Sequence, residues 1–547
     1  MLFRWLVAGS LLSCSRAQAQ TDAPLTLPKP VAEALGKVQP SALKSHIAYL
    51  ADDKLRGRQP GTPGYQMAVD YVSSQLKKMG VQPAGDQGGY TQRVRLRRSL
   101  LKPGATLTYR NGSGATIPLA LGQDATIYPN PELSSVSILE KPLAFAGFGI
   151  SAPELGYDDY AGLDVKGKIV VVRRGAPSTF ASTVAAASQD VLSLLQAAGQ
   201  HGAVGLLLAG HGPVPNLARG TYAALAPDGK VLVSRSYAPG AGVQLYAAIS
   251  EGLLNRLLTS AAQDTGRVYA ALRAGRPASA ALPGTLSATY EVTYQDFDAH
   301  NVVGKVTGSD ARLRREYVIH SAHLDHLGVG APVRGDSIYN GAHDNASGVA
   351  TVLEIARLYA GLKQKPRRSA LFVFCTSEET GLLGSAYFAT RPTVPKPDLV
   401  ADINSDMPTI IAPLLSVTAL GGAHSSLAAP VARACAYLGI ALESDPEPAQ
   451  NRFIRSDQYS FVTQGIPALH LKYGNKTADG MNNLTEQVKA WRAATYHQPQ
   501  DDINGIFDFE AGRKYVQLSF LIGYQLAQAA ERPKWNAGDF FGQRYAK

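Results

Sequence analysis

Five short segments of the sequence carry histidine or carboxylate side chains of the kinds that bind metal ions. In chain order these candidate ligands are His323, Asp344, Glu379, Asp406 and His497. Imidazole nitrogen and carboxylate oxygen form a mixture that suits Zn²⁺, and one carboxylate, Asp344, can bridge two ions. Each segment is ordinary when taken alone. The set of five predicts a centre that holds two zinc ions and activates water for hydrolysis.

Two further carboxylates stand beside these ligands. Glu378 precedes Glu379, and it is the candidate general base that would take a proton from the activated water. Asp325 lies two residues after His323 on the same side of the chain, and we predict that it accepts the other ring N–H of that histidine. The alternative is that the paired glutamates are exposed charge and that His323 and Asp325 are structural or solvated.

A parallel sheet would bring these segments together. Apolar runs predict strands at residues 317–321, 371–375, 399–403 and 467–471, and the pattern at 347–362 predicts a helix. Strands that alternate with helices favour an α/β fold, with a mostly parallel central sheet and helices on both faces. Reactive side chains gather at the carboxyl ends of the strands in such sheets. Asp344 would lie where the turn at 340–348 enters the helix, so a plain helix cap is the alternative for it.

The part of the chain before residue 288 divides into two blocks. Helical periodicity predicts helices at 42–50 and 65–79, with a Gly/Pro-rich loop at 56–64 between them. The block from 142 to 283 has a different texture. It predicts strands at 168–172 and 203–208 with an alanine-rich helical stretch at 182–201.

Composition excludes several classes of protein. The chain has 547 residues, of which 45% are hydrophobic and 18% charged, as in soluble globular proteins. Its net charge is +10, but the basic residues are scattered, so we expect no nucleic-acid partner. After the N-terminal region no stretch reaches the roughly 18 continuous apolar residues of a membrane span. We expect no stable membrane span.

The N-terminus predicts export to the periplasm or secretion. Residues 1–20 combine Arg4, an apolar stretch and small residues at 17–19, as in a signal peptide. A lipoprotein anchored through Cys14 and a buried first helix are the alternatives. Cys375 and Cys435 would remain after cleavage, too few for a disulfide framework, although they could form one bond. The apolar run before Cys375 predicts a buried thiol.

Taken in order, these motifs resemble the M28 family of metallopeptidases. The resemblance rests on the five ligand segments together with Leu-Ala-Asp-Asp-Lys-Leu-Arg-Gly-Arg at 50–58 and the segments at 455–461 and 465–468. The block at 142–283 is similar to a protease-associated (PA) domain, through residues 144–150, 157–160 and 167–172. With the predicted signal peptide at 1–20, the resemblance implies peptidase parts at 21–141 and 286–547 and an inserted β-rich PA domain at 142–285.

The resemblance also implies a role for each ligand. His323 and Asp406 would bind one zinc, Glu379 and His497 the other, and Asp344 would bridge the two ions, with Glu378 as the base. It further implies that the peptide bond between Asp344 and Asn345 is cis.

We therefore expect a two-zinc aminopeptidase that removes N-terminal residues from peptides. The nearest alternative is a carboxypeptidase or dipeptidase that binds the C-terminal carboxylate through Arg455, which could instead form a structural ion pair. His343 could face the substrate, and His326 could line the pocket, although a hydrogen-bonded structural role is the alternative for each. A glutaminyl-cyclase-like role fits less well because that chemistry needs one zinc. A binding protein on an inactive peptidase scaffold is the alternative from another class.

Overall fold

The computed structural model describes residues 24–217 and 220–546. The predicted signal peptide and Cys14 therefore lie outside the described residues. Among the residues described, no helix combines the length and the apolar character that crossing a membrane requires. Two β-sheets share one long strand, Ala280–Val306. We call them the C-terminal sheet and the insert sheet.

Four parallel strands form the centre of the C-terminal sheet. Their order across the sheet is Ser369–Cys375, Tyr317–His323, Leu399–Asn404 and Ala468–Tyr473. The end of the long strand pairs antiparallel on one side. The predicted parallel sheet is confirmed, with strand ends displaced by one or two residues.

Helices cover both faces of this sheet because residues along each strand alternate between two apolar cores. Val318 faces a core that contains the helices Pro40–Leu50, Ser347–Gly361 and Phe509–Gln528. Its neighbour Ile319 faces the opposite core, which contains residues of the helices Leu383–Thr390 and Gln458–Val462. Buried apolar residues on both faces explain why the strands read as continuous hydrophobic runs.

The insert sheet repeats the arrangement with its own four parallel strands, in the order Ser135–Phe145, Ile169–Arg173, Gly205–Ala209 and Leu245–Ile249. A separate apolar core surrounds it and draws on residues from Leu107 to Val292. The long strand runs through both sheets, so its residues belong to both units.

Two local predictions are corrected. The stretch at 182–201 is two helices, Ser182–Ser188 and Val191–Gln200, because Asp190 adopts an extended conformation with its carboxylate 2.7 Å from Nη2 of Arg235. The loop at 56–64 ends two residues earlier than predicted, because the next helix, Pro63–Lys78, begins with its proline in the first turn. The short segment Asp53–Arg58 overlaps the start of this loop, but Arg56 and Gly57 within it have positive φ angles that are not helical.

The two sets of parallel strands are accompanied by further helices and strands. The remaining helices are Lys29–Leu35, Glu251–Ser260, Thr265–Arg273, Ala428–Leu438, Leu484–Thr495 and Phe540–Tyr545. The remaining strands are Gln82–Pro83, Thr91–Leu101, Thr106–Arg110, Thr116–Pro118, Ala125–Tyr128, Ser151–Ala152, Tyr157–Asp158, Thr221–Leu225, Val231–Ser234, Gly328–Val333, Asp336–Tyr339, Ser416–Leu420 and Ala441–Glu443. Cys375 and Cys435 are both buried free thiols, as predicted for Cys375.

Candidate metal centre

The carboxyl ends of three parallel strands carry three of the five predicted ligands. His323 is the last residue of its strand, Glu379 lies four residues beyond Cys375, and Asp406 lies two residues beyond Asn404. These ends lie at one edge of the sheet because the strands are parallel and adjacent. The remaining two ligands come from elsewhere in the chain, since Asp344 precedes the helix Ser347–Gly361 and His497 follows the helix Leu484–Thr495.

Asp344 lies at the centre of the group, and its two oxygens face different partners. Oδ1 is 3.2 Å from Nε2 of His323, which is also 3.5 Å from Oδ1 of Asp406. Oδ2 is 3.2 Å from Nε2 of His497, which is also 3.2 Å from Oε2 of Glu379. The structure therefore brings all five predicted ligands together around one carboxylate. The peptide bond from Asp344 to Asn345 is cis, as the resemblance implied.

The spacing of these atoms fits zinc. Ligand atoms about 2.1 Å from a tetrahedral ion lie about 3.4 Å from one another, which is close to the nitrogen–oxygen distances on each side of Asp344. His323, Asp344 and Asp406 form a cluster with the spacing of a metal site, as do His326, Asp344 and Glu379. Two imidazoles and three carboxylates are also donors that zinc accepts.

Opposite charges inside the cluster shift the pKa values of its members. Burial lowers the pKa of His323, but the Glu378 charge and hydrogen bonds to Asp344 and Asp406 outweigh burial and raise it well above its usual range. In the same way, contacts with Asp344 and Glu379 raise the pKa of His497 to about 10 against the effect of burial. The hydrogen bonds from both histidines hold the pKa of Asp344 well below its usual range, although burial opposes this. The site therefore favours bound positive charge.

Glu378 differs from its neighbour Glu379 in both pKa and contacts. Burial, together with the negative charges of Glu379 and Asp406, raises the pKa of Glu378 well above that of an exposed glutamate. Two imidazoles contact Glu379. Its Oε1 lies 2.7 Å from Nδ1 of His326, and its Oε2 lies 3.2 Å from Nε2 of His497. A raised pKa is what a carboxylate needs to accept a proton from water near neutral pH.

Asp325 is fully buried and holds the two glutamates. Its carboxylate accepts the backbone N–H groups of Glu378 and Glu379, at 3.0 and 3.3 Å. The sequence predicted that this carboxylate accepts the ring N–H of His323. In the structure the carboxylate lies 3.9 Å from Nδ1, and the carbonyl oxygen of Asp325 is nearer, at 3.2 Å.

Sequence reasoning missed the role of Arg58, which joins the N-terminal part of the chain to the ligand loops. Its side chain is 1% exposed and donates hydrogen bonds to the carbonyl oxygens of Leu50, Leu324, Asn340 and Gly341. Burial lowers the pKa of Arg58 to about 10, although the surrounding carboxylates favour its charge. Arg58 lies in the motif at 50–58, but the sequence does not reveal which carbonyl groups this arginine binds.

Asp501 is the second functional residue that sequence reasoning missed. Its buried carboxylate accepts the backbone N–H groups of His343 and Asp344 at 2.9 and 3.0 Å, so it fixes the turn that presents Asp344. His343 itself is 1% exposed. Its ring stacks on Phe507, and its Nε2 lies 3.0 Å from the carbonyl oxygen of Ile506.

Two cavities adjoin the ligands. A wide cleft of about 820 Å³ separates the insert from the C-terminal part of the chain and reaches Glu379 and His326. A smaller cavity of about 130 Å³ reaches Asp344, Glu378 and Asp406. Arg455 lines both, and its Nη1 donates only a long hydrogen bond, 3.4 Å, to the carbonyl oxygen of Gln450.

Lys472 lies between the smaller cavity and the ligand Asp406. Its Nζ donates to the carbonyl oxygens of Asp406 and Met407 at 2.8 and 3.0 Å. Burial lowers the pKa of Lys472 to about 8, and the positive charges of Arg492 and Arg452 add to this effect against the attraction of Asp406. Positive groups are therefore crowded on this side of the site.

Comparison with known proteins identifies the two parts of the chain. Residues 301–514, which contain all five predicted ligands, match the model of peptidase family M28. Residues 139–249 match the PA domain and contain the four parallel strands of the insert sheet, except for residues 135–138 of the first strand. The match to the PA domain lies within the predicted insert except at its first three residues.

Similar proteins include both aminopeptidases and a carboxypeptidase. The probable lipoprotein aminopeptidase LpqL of Mycobacterium tuberculosis is 25% identical and aligns over 89% of this chain and 85% of its own length. Carboxypeptidase Q of Rattus norvegicus is 33% identical over 21% of this chain and 23% of its own length. A solved aminopeptidase from Aneurinibacillus sp. strain AM-1 is 19% identical, with 90% of this chain and 95% of that one covered at a TM-score of 0.49. The chain thus carries a domain of peptidase family M28 and a PA domain, which identify it as a zinc-dependent peptidase.

Proposed function

We propose that this protein is a two-zinc aminopeptidase that removes single residues from the N-termini of peptides. One observation carries the proposal: the two oxygens of Asp344 face two separate pairs of donors. His323 and Asp406 would hold one ion with the first oxygen, while Glu379 and His497 would hold the other with the second. A single zinc would leave one of these pairs without a role.

Zinc ions bound here would supply Lewis acidity, which polarises the scissile carbonyl and lowers the pKa of the attacking water. The protein's own contribution is the handling of the proton. Glu378, whose pKa is raised by burial, would accept a proton from water and deliver it to the amine of the leaving group. Asp325 would keep Glu378 in place by accepting its backbone N–H.

Several groups would keep the ligands in position throughout the reaction. His326 would orient Glu379 through its 2.7 Å contact, and Asp501 would orient Asp344 through the two amides that it accepts. Such supporting contacts commonly change metal affinity or activity by about 10–100-fold when removed. The buried carboxylates around the site would favour the positive charge of a substrate's free amine, in keeping with an aminopeptidase.

A dipeptidase or carboxypeptidase is the second candidate. It is favoured by Arg455, an exposed guanidinium that lines both cavities and could bind a substrate's C-terminal carboxylate. We also propose that the protein acts outside the cytoplasm, as the N-terminal pattern predicts and as the name of the mycobacterial lipoprotein relative suggests.

Hydrolysis of aminoacyl-p-nitroanilides, each free and N-acetylated, tests the proposal when metal content is measured on the same purified sample. We expect cleavage of the free amines only, with about two zinc ions per chain. Cleavage of the acetylated compounds would contradict an aminopeptidase. Two bound metals without any cleavage would favour the peptidases that bind the C-terminal carboxylate, and a protein without affinity for zinc would favour a binding scaffold.

A further inference from the structure

The smaller cavity has an unusual wall opposite the catalytic carboxylates. Five basic side chains line it, whereas Glu447 is the only acidic residue in the lining apart from Asp344, Glu378 and Asp406. The basic residues are Arg452, Arg455, Lys472, Lys489 and Arg492. A pocket for an apolar side chain would be lined mainly by apolar groups, because burying unpaired charge is costly.

Two of the five basic residues are engaged in holding the protein together. Arg452 is 7% exposed, and its guanidinium lies 2.6 Å from Asp445 and 3.4 Å from Glu447. Lys472 is bound to two carbonyl oxygens of the Asp406 loop. Glu447, the acidic residue of the lining, is therefore already paired with Arg452.

The other three basic residues have no carboxylate within ion-pair distance among the residues that the structure describes. Arg492 stacks on the ring of Tyr496, with its Cζ 4.0 Å from the ring centroid. Arg455 has its long contact with a carbonyl oxygen, and Lys489 is exposed at the rim. The cavity therefore presents positive charge that the described part of the protein does not neutralise.

Size and position limit what can neutralise this charge. The cavity has a volume of about 130 Å³, and a water molecule needs only about 10–15 Å³ of such space, so a small polar group such as a carboxylate fits inside. Glu378 and Asp344 line the same cavity, so a group bound there lies next to the reacting bond. A group of the substrate is therefore in position to fill this cavity.

We propose that this cavity is a specificity pocket that binds a carboxylate of the peptide substrate, with Arg455 and Arg492 as its main partners. The inference rests on the proposed function. Two sources of the carboxylate fit the same chemistry: the side chain of an acidic N-terminal residue, or the C-terminal carboxylate of a very short peptide. A guanidinium can bind either with two parallel hydrogen bonds.

Matched substrates on the full-length, zinc-loaded enzyme test the pocket. Glutamyl- and glutaminyl-p-nitroanilide differ only in the side-chain carboxylate, whereas Leu-Gly and Leu-Gly-amide differ only in the C-terminal one. We expect kcat/KM to be at least about 10-fold higher for the charged member of one pair, because a desolvated ion pair replaces a neutral contact. The pair that responds identifies the source.

Variants then assign the preference to named residues. Arg455→Gln and Arg492→Gln should each lower the ratio of charged to neutral kcat/KM about 3–10-fold, chiefly through KM. The matched control is Arg267→Gln, whose side chain is 91% exposed on the helix Thr265–Arg273 and should leave the ratio unchanged. Product inhibition of the wild-type enzyme needs no variant: L-glutamate should inhibit at least about 10-fold more strongly than L-glutamine if the side chain is the source.

The outcomes separate this inference from the proposed function. Cleavage of leucyl-p-nitroanilide without preference in either substrate pair would overturn the carboxylate pocket and leave the aminopeptidase standing. Cleavage of Leu-Gly alone would support the pocket and contradict the aminopeptidase. If a protein that binds two zinc ions cleaves none of these substrates, both proposals fail.

Discussion

The C-terminal sheet and the insert sheet are built on the same plan, yet among the described residues a candidate metal centre lies only at the C-terminal sheet. Each has four adjacent parallel strands, and each places polar residues at the carboxyl ends of those strands. In the C-terminal sheet these residues are buried: the side chains of His323 and Asp406 are 1% and 13% exposed. In the insert, Arg173 ends one strand and its Nη2 lies 2.8 Å from Oε1 of Glu251, which is 38% exposed.

The difference lies in the elements that cover the strand ends. Over the C-terminal sheet, the turn at Asp344, the loop at Arg58 and the segment at Asp501 close around the ligands and bury most of them. In the insert, the opposite charges of Arg173 and Glu251 neutralise each other near solvent. A parallel sheet therefore determines where polar residues meet, whereas the covering loops and the signs of the charges determine what they can do.

The comparison is sharpest at the proposed general base. Glu378→Gln should lower kcat about 100- to 10,000-fold, because the amide cannot accept the proton from water. Zinc content should stay at the wild-type level, since Glu378 is not one of the proposed ligands. Glu251→Gln is the matched control at a strand end of the insert and should change kcat less than about twofold. Steady-state kinetics and metal analysis of the wild-type protein and the two variants test this prediction. Near-normal turnover of Glu378→Gln would contradict the assignment of Glu378 as the general base.

Arg58 should dominate the stability of the C-terminal sheet. Arg58→Met leaves several buried carbonyl groups without a donor and nearby carboxylates without a counter-charge, so the free energy of unfolding should fall by about 3–5 kcal/mol. Urea unfolding followed by tryptophan fluorescence is suitable because Trp491 and Trp535 both lie in the C-terminal part.

The matched change in the insert is Arg173→Met. It removes an ion pair that is partly open to solvent, so its cost should stay below about 1 kcal/mol. Hydrogen exchange of insert peptides would measure that cost locally. If Arg58→Met and Arg173→Met lower the free energy of unfolding equally, then the deeper burial of the Arg58 guanidinium does not make it the more important of the two for stability.

Asp501 should act on metal affinity through the turn that it holds. Asp501→Asn replaces one acceptor oxygen by an N–H donor facing the amides of His343 and Asp344, so zinc should bind about 10- to 100-fold more weakly. Asp502→Asn is the adjacent control, because that carboxylate accepts only the nearby amide of Asn504. Competition with a chelator of known affinity measures both. Unchanged affinity in Asp501→Asn would show that the turn holds its shape without the carboxylate.

Much of the fold was predictable from the sequence, as was the convergence of the five candidate ligands, because both have local signals. Continuous apolar runs identified the four strands of the C-terminal sheet, and the ligand segments follow three of them directly. The split of the helical stretch at 182–201 was not predictable, since it depends on Asp190 meeting Arg235 from a distant part of the chain.

The supporting residues were harder to predict for the same reason. Arg58 reaches carbonyl groups more than 260 residues away along the chain, and nothing at residue 58 identifies them. Asp501 stands in a segment that was noted for His497, yet its partners are amides of the Asp344 turn. Likewise the basic cavity collects residues from 447 to 496 with others from three further segments, so its charge becomes visible only after folding.

Two buried groups, one in each part of the chain, should respond to acid in opposite ways. Burial lowers the pKa of His320, in a central strand of the C-terminal sheet, to about 3, whereas burial raises the pKa of Asp159 in the insert to about 7. An unfolded histidine binds a proton below about pH 6.5, so the stability that neutral His320 provides is present above that pH and is lost as the pH falls. Folded Asp159 keeps its proton above the usual aspartate pKa, so its contribution is present at low pH and is lost as the pH rises towards 7. Each contribution changes by about 1.4 kcal/mol per pH step of one within its window.

Lowering the pH from 7 to 5 should therefore reduce the stability that His320 contributes to the C-terminal sheet and increase the stability that Asp159 contributes to the insert. Free energies of opening from hydrogen exchange, corrected for intrinsic exchange rates and measured with a chelator present throughout, report on each sheet without a contribution from zinc release. His320→Gln should flatten the pH dependence of the C-terminal peptides only, and Asp159→Asn should flatten that of the insert peptides only. If both sheets weaken together in acid and neither variant changes a slope, then burial of these two groups does not set the pH response, and the contrast between the sheets is confined to the metal centre.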